Sequence, residues 1–187
     1  INKYLAQLDD SLRWELMKYD RDSFKQGSFD KPDSTLFMIN EIITNEPKLK
    51  YAPFIASKTF SALLKTNPHK AYEYGKVAIM TSTYEDPPYY MISSAIEWYS
   101  DKLNLPAEIY QLGAEAYRMK IGNSPYPEIV NIPGDYHKMA EMYWRAGDKS
   151  KAIEAEQKAI EELKSRKGFS ATNLAAFESR LRQYKNM

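Results

Sequence analysis

The chain has 187 residues, a formal net charge of +1 and no cysteine. A nearly neutral charge gives no reason to expect nucleic acid or an anionic membrane as a partner, and the lack of cysteine excludes disulfides, thiolate–metal sites and thiol chemistry within the chain. No run of 18 apolar residues is present, so a transmembrane helix is not expected. Because the sequence begins at Ile1 and not at a methionine, we expect a processed product or part of a longer chain.

The first predicted element is an N-terminal pair of helices within residues 1–47. The apolar residues of Asn2–Phe24 recur at spacings of three and four, which is typical of an amphipathic helix. A second helix, capped by Asp33 or Ser34, must end before Pro47, because proline disfavours helical geometry in the residue that precedes it.

Two further helix pairs, at residues 51–82 and 88–121, are predicted to be copies of one unit. With an offset of 38 residues, their second helices share a proline, a tyrosine, a glycine and an alanine, and a period in the thirties is typical of stacked helix pairs. The same offset matches Phe60 with Trp98 in the first helices. A mid-helix glycine costs about 1 kcal/mol relative to alanine, so its recurrence predicts close helix contact. The matched residues are Pro68 and Pro106, Tyr72 and Tyr110, Gly75 and Gly113, and Ala78 and Ala116.

Residues 135–168 are predicted to form two antiparallel helices. Gly147 supplies the turn that ends the first helix, and Asp148 is placed to cap the second. Small residues stand where the two helices must approach closely, and larger ones fill the space around them. A last amphipathic helix within residues 169–187, capped by Ser170, is predicted to close the array with its polar face outwards.

Residues 135–168 resemble a tetratricopeptide repeat. Two positions depart from the family pattern: Glu156 stands where the family has an aromatic residue, and Lys164 stands at its closing proline. The resemblance implies an all-α fold without β-sheet, a right-handed array of about nine helices in antiparallel pairs that forms a single domain over residues 1–187. The middle of the chain matches more loosely. The residues that match are Tyr136, Met139, Ala140, Tyr143, Gly147, Ala152 and Ala159.

The whole chain is also similar to the helical region attached to some bacterial envelope thioredoxin-like proteins. That similarity implies a periplasmic or cell-envelope location in preference to the cytoplasm. The chain has no Cys-x-x-Cys motif, so any redox chemistry would belong to a separate domain.

The tetratricopeptide resemblance implies a concave groove that is lined by the first helix of each pair and captures a peptide. The pair Trp98–Tyr99 echoes the pair Tyr143–Trp144, since each follows an alanine by three residues. We therefore expect Trp98 to pack inward and Tyr99 to face the groove. The groove-facing residues carried over onto the best-matching repeat are His137, Glu141, Trp144 and Arg145.

Three other interpretations stay open. Trp144 could pack against the loop at residues 122–133 instead of facing a groove. The array could dock as an appendage on a neighbouring thioredoxin-like domain of its precursor, which predicts an apolar patch around Trp14. Exposed tyrosine and tryptophan could bind a glycan, which predicts two coplanar exposed rings with Asn or Asp beside them.

The sequence shows no catalytic constellation. Its carboxylate pairs are adjacent in sequence and point in different directions on a helix, so none forms an acid–base dyad. His137 and Glu141 share a helix face, but two ligands do not make a metal site. We therefore predict a non-enzymatic interaction scaffold with a protein or peptide partner, and with no cofactor and no metal.

Overall fold

The computed structural model describes residues 32–81, 88–123, 131–168 and 170–186. All regular elements in these ranges are helical, which confirms the predicted all-α class for the described part of the chain. The helix predicted at Asn2–Phe24 lies outside the described residues. The α-helices are α1 (Pro32–Asn45), α2 (Pro53–Thr66), α3 (Pro68–Met80), α4 (Pro88–Tyr99), α5 (Ala107–Gly122), α6 (Ile132–Arg145), α7 (Lys149–Ser165) and α8 (Ala171–Asn186), and a short 3-10 helix, Pro47–Leu49, follows α1.

Proline and side-chain caps set the helix boundaries. Pro53 and Pro68 begin α2 and α3, where the missing N–H costs no intrahelical hydrogen bond. The Asn67 side chain caps α3 by accepting a backbone N–H at 3.0 Å. α1 ends at Asn45, which confirms the limit predicted from Pro47.

Contacts within the chain divide it into two units, residues 1–105 and 106–187. The boundary falls inside the predicted repeat at 88–121, so that α4 belongs to the first unit and α5 to the second. A single domain with the predicted repeat bounds stays a prediction.

In the first unit, α2 packs against α1, α3 and α4. Its apolar residues meet those of α1 and the 3-10 helix in one core, and partly buried side chains cover that core. The fully buried members are Ile39, Leu49, Ala52 and Ile55, and Met38, Ile42, Ile43 and Phe54 pack around them.

Burial shows two different registers in the predicted repeat. The second helices keep the offset of 38 residues, since Gly75 and Gly113 are both buried, and so are Ala78 and Ala116. The first helices do not keep that offset, because Phe60 is buried whereas Trp98, 38 residues later, is 66% exposed. Their buried positions coincide best at 36 residues. The buried pairs at that spacing are Ala52 and Pro88, Pro53 and Tyr89, Ala56 and Ile92, Thr59 and Ala95, Phe60 and Ile96, and Leu64 and Ser100.

In the second unit, α6 and α7 form the helix pair predicted at residues 135–168, and α8 packs on α7. Gly147 adopts a φ of 83° in the turn, and the Asp148 side chain caps α7 by accepting the Lys151 N–H at 3.1 Å. Phe177 of α8 enters a core with residues of α7. The α7 members of that core are Ala159, Ile160 and Leu163, and Tyr136, Leu174 and Leu181 pack against it.

Gly147→Ala is expected to lower the free energy of unfolding by about 1–2 kcal/mol, because L side chains rarely adopt a positive φ. A Cβ added there would meet no atom within 4 Å, so the cost is backbone strain alone. Gly122→Ala is the matched control: it also has no atom within 4 Å, but it ends a helix and its φ is not positive. We expect that variant to be neutral or more stable, as measured by urea denaturation. Equal losses in the two variants would contradict the role of the turn.

Candidate functional site

An open groove of about 620 Å³ lies between α2 and α4, the first helices of two successive predicted pairs. Both helices belong to the first unit and pack directly against each other. Its walls combine aromatic, small and hydroxyl side chains. The lining residues are Phe54, Ser57 and Ser61 of α2, and Tyr90, Met91, Ser94, Ala95, Trp98 and Tyr99 of α4.

The groove is built by equivalent positions of the two helices. Three residues of α2 line it at spacings of three and four, which places them on one helix face. The three residues of α4 that lie 37 positions later line the opposite wall. The equivalent pairs are Phe54 and Met91, Ser57 and Ser94, and Ser61 and Trp98.

Trp98 and Tyr99 both line the groove, although only Tyr99 was predicted to face it. The Trp98 side chain is 66% exposed at the end of the groove, whereas Tyr99 is half-buried. The prediction that Trp98 packs inward is therefore wrong: it relied on the echo of Tyr143–Trp144, which does not fix which ring of the pair is buried. Tyr99 does line the groove, and burial raises the pKa of its phenol, so Tyr99 keeps its proton at neutral pH.

Lysine side chains border the groove by lying over its rings. Each ammonium is within the range of a cation–π contact, and each belongs to α2 or to the residues that follow α4. No acidic residue occurs in α2, and none of the lining side chains is a carboxylate. The distances from Nζ to the ring centroid are 5.7 Å for Lys58 over Phe54, 4.8 Å for Lys65 over Tyr99 and 3.1 Å for Lys102 over Trp98.

The other predicted site residues lie on α6 of the second unit, and α8 covers two of them. The His137 ring stacks on Phe177 with centroids 4.4 Å apart and an angle of 13°. The Trp144 ring stacks on Tyr184 with centroids 4.8 Å apart and an angle of 27°. His137 and Trp144 are seven residues apart on α6, and Phe177 and Tyr184 are seven residues apart on α8. Two turns of α8 therefore run along two turns of α6.

Trp144 is therefore half-buried, which corrects the expectation that it stands exposed in a groove. The other expectation for Trp144 was packing against the loop at residues 122–133. Most of that loop lies outside the described residues. The observed contact is with Tyr184, which is only 1% exposed.

A buried carboxylate lies beneath His137. Glu156 of α7 is fully buried, and its two oxygens are 2.7 Å and 3.0 Å from His137 Nδ1. Burial raises the pKa of the Glu156 carboxyl, and the hydrogen bond and charge of His137 partly oppose that shift. Glu156 is the residue that departs from the aromatic family pattern, so this departure was the signal in the sequence for a buried polar pair.

Glu141 and Arg145 form an ion pair on the same helix. Arg145 donates from Nη2 to Glu141 Oε1 at 3.1 Å and from Nε at 3.3 Å, and its guanidinium lies 5.9 Å from the Tyr110 ring centroid. The charges of both residues act on Tyr184, and burial raises the pKa of that phenol well above its ordinary range. The structure thus brings the four predicted residues of α6 together, but at a helix interface.

The described residues offer neither a metal site nor a membrane span. In the described ranges, no group of three or more His, Cys, Asp or Glu side chains is placed to hold a metal ion. None of the described helices is both long and apolar enough to cross a membrane.

Comparisons with known proteins add little to this geometry. No protein-family model matches the chain, and no curated protein matches it. The chain is similar to a solved structure titled "MamA RS-1 ArsTM double mutant", with 13% sequence identity, a TM-score of 0.46, and coverage of 90% of this chain and 92% of that chain. At this TM-score the likeness carries no weight for fold or function, so both rest on the geometry above.

Proposed function

We propose that this chain is a non-enzymatic interaction scaffold that binds an extended peptide in the groove between α2 and α4. The observation that carries the proposal is the matched row of lining residues on two successive helices. A surface that is repeated in this way and left open suits a ligand that runs along it. The row on each helix spans seven positions, which corresponds to about 10 Å, or about three residues of an extended peptide.

The composition of the groove also supports binding. Trp98 exposes most of its side chain although it is a large apolar residue, and tryptophan and tyrosine are enriched in binding hot spots. We assign the predicted partner-binding role of Tyr99 to this groove and add Trp98 to it. We place the other four predicted residues, His137, Glu141, Trp144 and Arg145, in the attachment of α8.

The two alternative functions lack support of this kind. Glycan binding predicts exposed coplanar rings flanked by Asn or Asp, and the described lining contains neither residue type. Docking on a thioredoxin-like domain predicts an apolar patch around Trp14, which lies outside the described residues.

Trp98→Ala is expected to abolish peptide binding and to leave the unfolding temperature almost unchanged, because the side chain is 66% exposed. The measurement is the enrichment of a displayed library of unstructured peptides on the wild-type chain, followed by affinities of the enriched peptides for both proteins. Phe37→Ala is the matched control, since Phe37 is 69% exposed in the same unit but does not line the groove. The proposal fails if no peptide is enriched, or if the enriched peptides bind the Trp98→Ala variant as tightly as the wild type.

A further inference from the structure

We infer that α8 is exchanged between two copies of this chain: the α8 of one copy leaves its own α6 and α7 and packs in the same place on the other copy, which forms a dimer. The inference concerns the second unit and does not rest on the groove between α2 and α4. Three features support it: the small number of buried side chains that attach α8, the fit of the surface beneath it, and the turn that connects α8 to α7.

Few side chains attach α8 to the rest of the second unit. Phe177 and Tyr184 are the two buried residues of α8, whereas α6 and α7 bury six residues each. The ion pair from Lys164 Nζ to Glu178 Oε1, at 3.2 Å, joins α7 to α8 at an exposed position and contributes little. An element with few buried apolar contacts opens at a lower free energy than the core of the same unit. We therefore expect α8 to detach while α6 and α7 stay paired.

The packed position of α8 also carries a polar cost. Within the described residues, the buried Tyr184 hydroxyl has no hydrogen-bond partner. Water satisfies this hydroxyl once α8 is released, so release recovers a hydrogen bond that packing removes. The recovery offsets part of the free energy that is needed to uncover the two rings.

The surface beneath α8 fits the α8 of a second copy as well as it fits its own. His137 of α6 stacks on Phe177 at 4.4 Å, and Trp144 stacks on Tyr184 at 4.8 Å. Phe177 also shares a core with apolar residues of α7. Because the helix of a second copy has the same sequence, it makes the same contacts, and exchange sacrifices none of them. Exchange of an identical element is for this reason a low-cost route to a dimer.

The connection between α7 and α8 sets the balance between the monomer and the exchanged dimer. It spans residues 166–170, and Gly168 adopts a φ of 73° within it. Glycine takes up this left-handed conformation without strain, so the chain can turn back and place α8 on its own α7. A side chain at position 168 would strain the turn of the monomer. It would not strain an exchanged dimer, in which the connection is opened out.

Gly168→Ala in the whole chain is expected to raise the dimerisation constant about tenfold or more, as measured by size-exclusion chromatography with light scattering over a range of concentrations. An added Cβ meets no atom within 4 Å there, so the substitution strains only the backbone. Gly147→Ala is the matched control, because Gly147 also has a positive φ and open space around it. It joins α6 to α7, whose contact is the most extensive in the described part of the unit. That variant should lose stability without forming a dimer.

A crosslink between chains identifies the exchanged helix. The chain has no cysteine, so a single thiol can be placed on each of two copies. One copy carries Lys164→Cys and the other carries Glu178→Cys, and the two are mixed in mild denaturant and returned to buffer. A short thiol-to-thiol reagent should join them in the dimer, since these side chains meet across α7 and α8. Lys151→Cys in place of Lys164→Cys is the control, because the two positions are about 20 Å apart along α7.

A shorter connection provides a second variant. Deleting residues 167 and 168 removes the turn and leaves every residue of α7 and α8 in place. The shortened chain should be unable to fold α8 back on its own α7, so we expect it to be mainly dimeric at concentrations where the wild type is a monomer.

The inference is overturned if Gly168→Ala leaves the dimerisation constant unchanged and the deletion variant is a monomer. It is also overturned if the two glycine variants dimerise equally, or if the dimer gives no crosslink between positions 164 and 178. In both of those cases the copies associate through another surface. None of these results bears on peptide binding in the groove between α2 and α4, which is tested separately.

Discussion

His137→Ala is expected to lower the free energy of unfolding of the second unit by about 1–3 kcal/mol near neutral pH, the usual cost of leaving a buried polar group without its hydrogen-bond partner. The substitution leaves the fully buried Glu156 carboxylate without its partner and also removes the stack on Phe177. Chemical denaturation, followed by circular dichroism, measures this loss.

The loss should shrink as the pH falls. Because the folded-state pKa of Glu156 is raised, the folded protein holds this proton more tightly than the unfolded chain does. The stability that the protonated carboxyl contributes is therefore fully present below its ordinary pKa of about 4.5, and it is lost as the pH rises through the folded-state value. At acid pH the Glu156 carboxyl is neutral. His137→Ala then leaves no buried charge without a partner, and it costs less stability.

Glu156→Gln completes the experiment. It removes the charge and keeps an oxygen that can accept from His137, so its stability relative to wild type should increase as the pH rises. In this background His137→Ala should cost markedly less, which a double-mutant cycle would report as coupling. Lys158→Ala is the control: it breaks an exposed pair on the same helix, Lys158 to Glu154 at 2.8 Å, and should change stability little. Additive effects of the two buried substitutions would contradict the proposed pairing.

Tyr184→Ala is expected to cost about 3–5 kcal/mol of unfolding free energy, the usual range for removing a buried aromatic side chain. The ring is 1% exposed and stacks on Trp144. Its loss should loosen α8 and shift the fluorescence of Trp144 towards that of a solvated indole, as measured in a background where Trp14 and Trp98 are replaced by phenylalanine.

Tyr184→Phe separates the ring from its hydroxyl. Within the described residues, the buried Tyr184 hydroxyl has no hydrogen-bond partner, so removing it should leave stability unchanged or raise it by about 1 kcal/mol. The Trp144 emission should stay as in the same background without this substitution. A loss similar to that of Tyr184→Ala would show that the hydroxyl, and not the stacked ring, holds α8 in place.

Local features of the helices were predictable because short-range chemistry decides them. The stop before Pro47, the turn at Gly147 and the cap at Asp148 depend only on neighbouring backbone geometry, and all three are confirmed. The recurrence of Gly75 and Gly113 at buried positions followed from the cost of glycine in a helix.

The candidate site was harder to predict, because a shift of one residue rotates a helical side chain by about 100°. The echo of Tyr143–Trp144 predicted that Trp98 packs inward, whereas Trp98 is 66% exposed and the first helices do not keep the offset of the second helices. The connection between the two helices of a pair absorbs this difference, and no local pattern reveals it. Tyr99 does line the groove, as predicted, but the exposed ring of Trp98 beside it was not predicted.

By itself the sequence determined that the described chain is helical, where several helices begin and end, and which small residues are buried, because proline, glycine, caps and apolar spacing act over a few residues. Only the tertiary structure decided which aromatic rings reach solvent and which are covered. Trp98 lies open in a groove because of the register of α4, and Trp144 is stacked under Tyr184 because α8 packs beside α6. Both outcomes depend on how separate helices meet, which side-chain spacing within one helix does not encode.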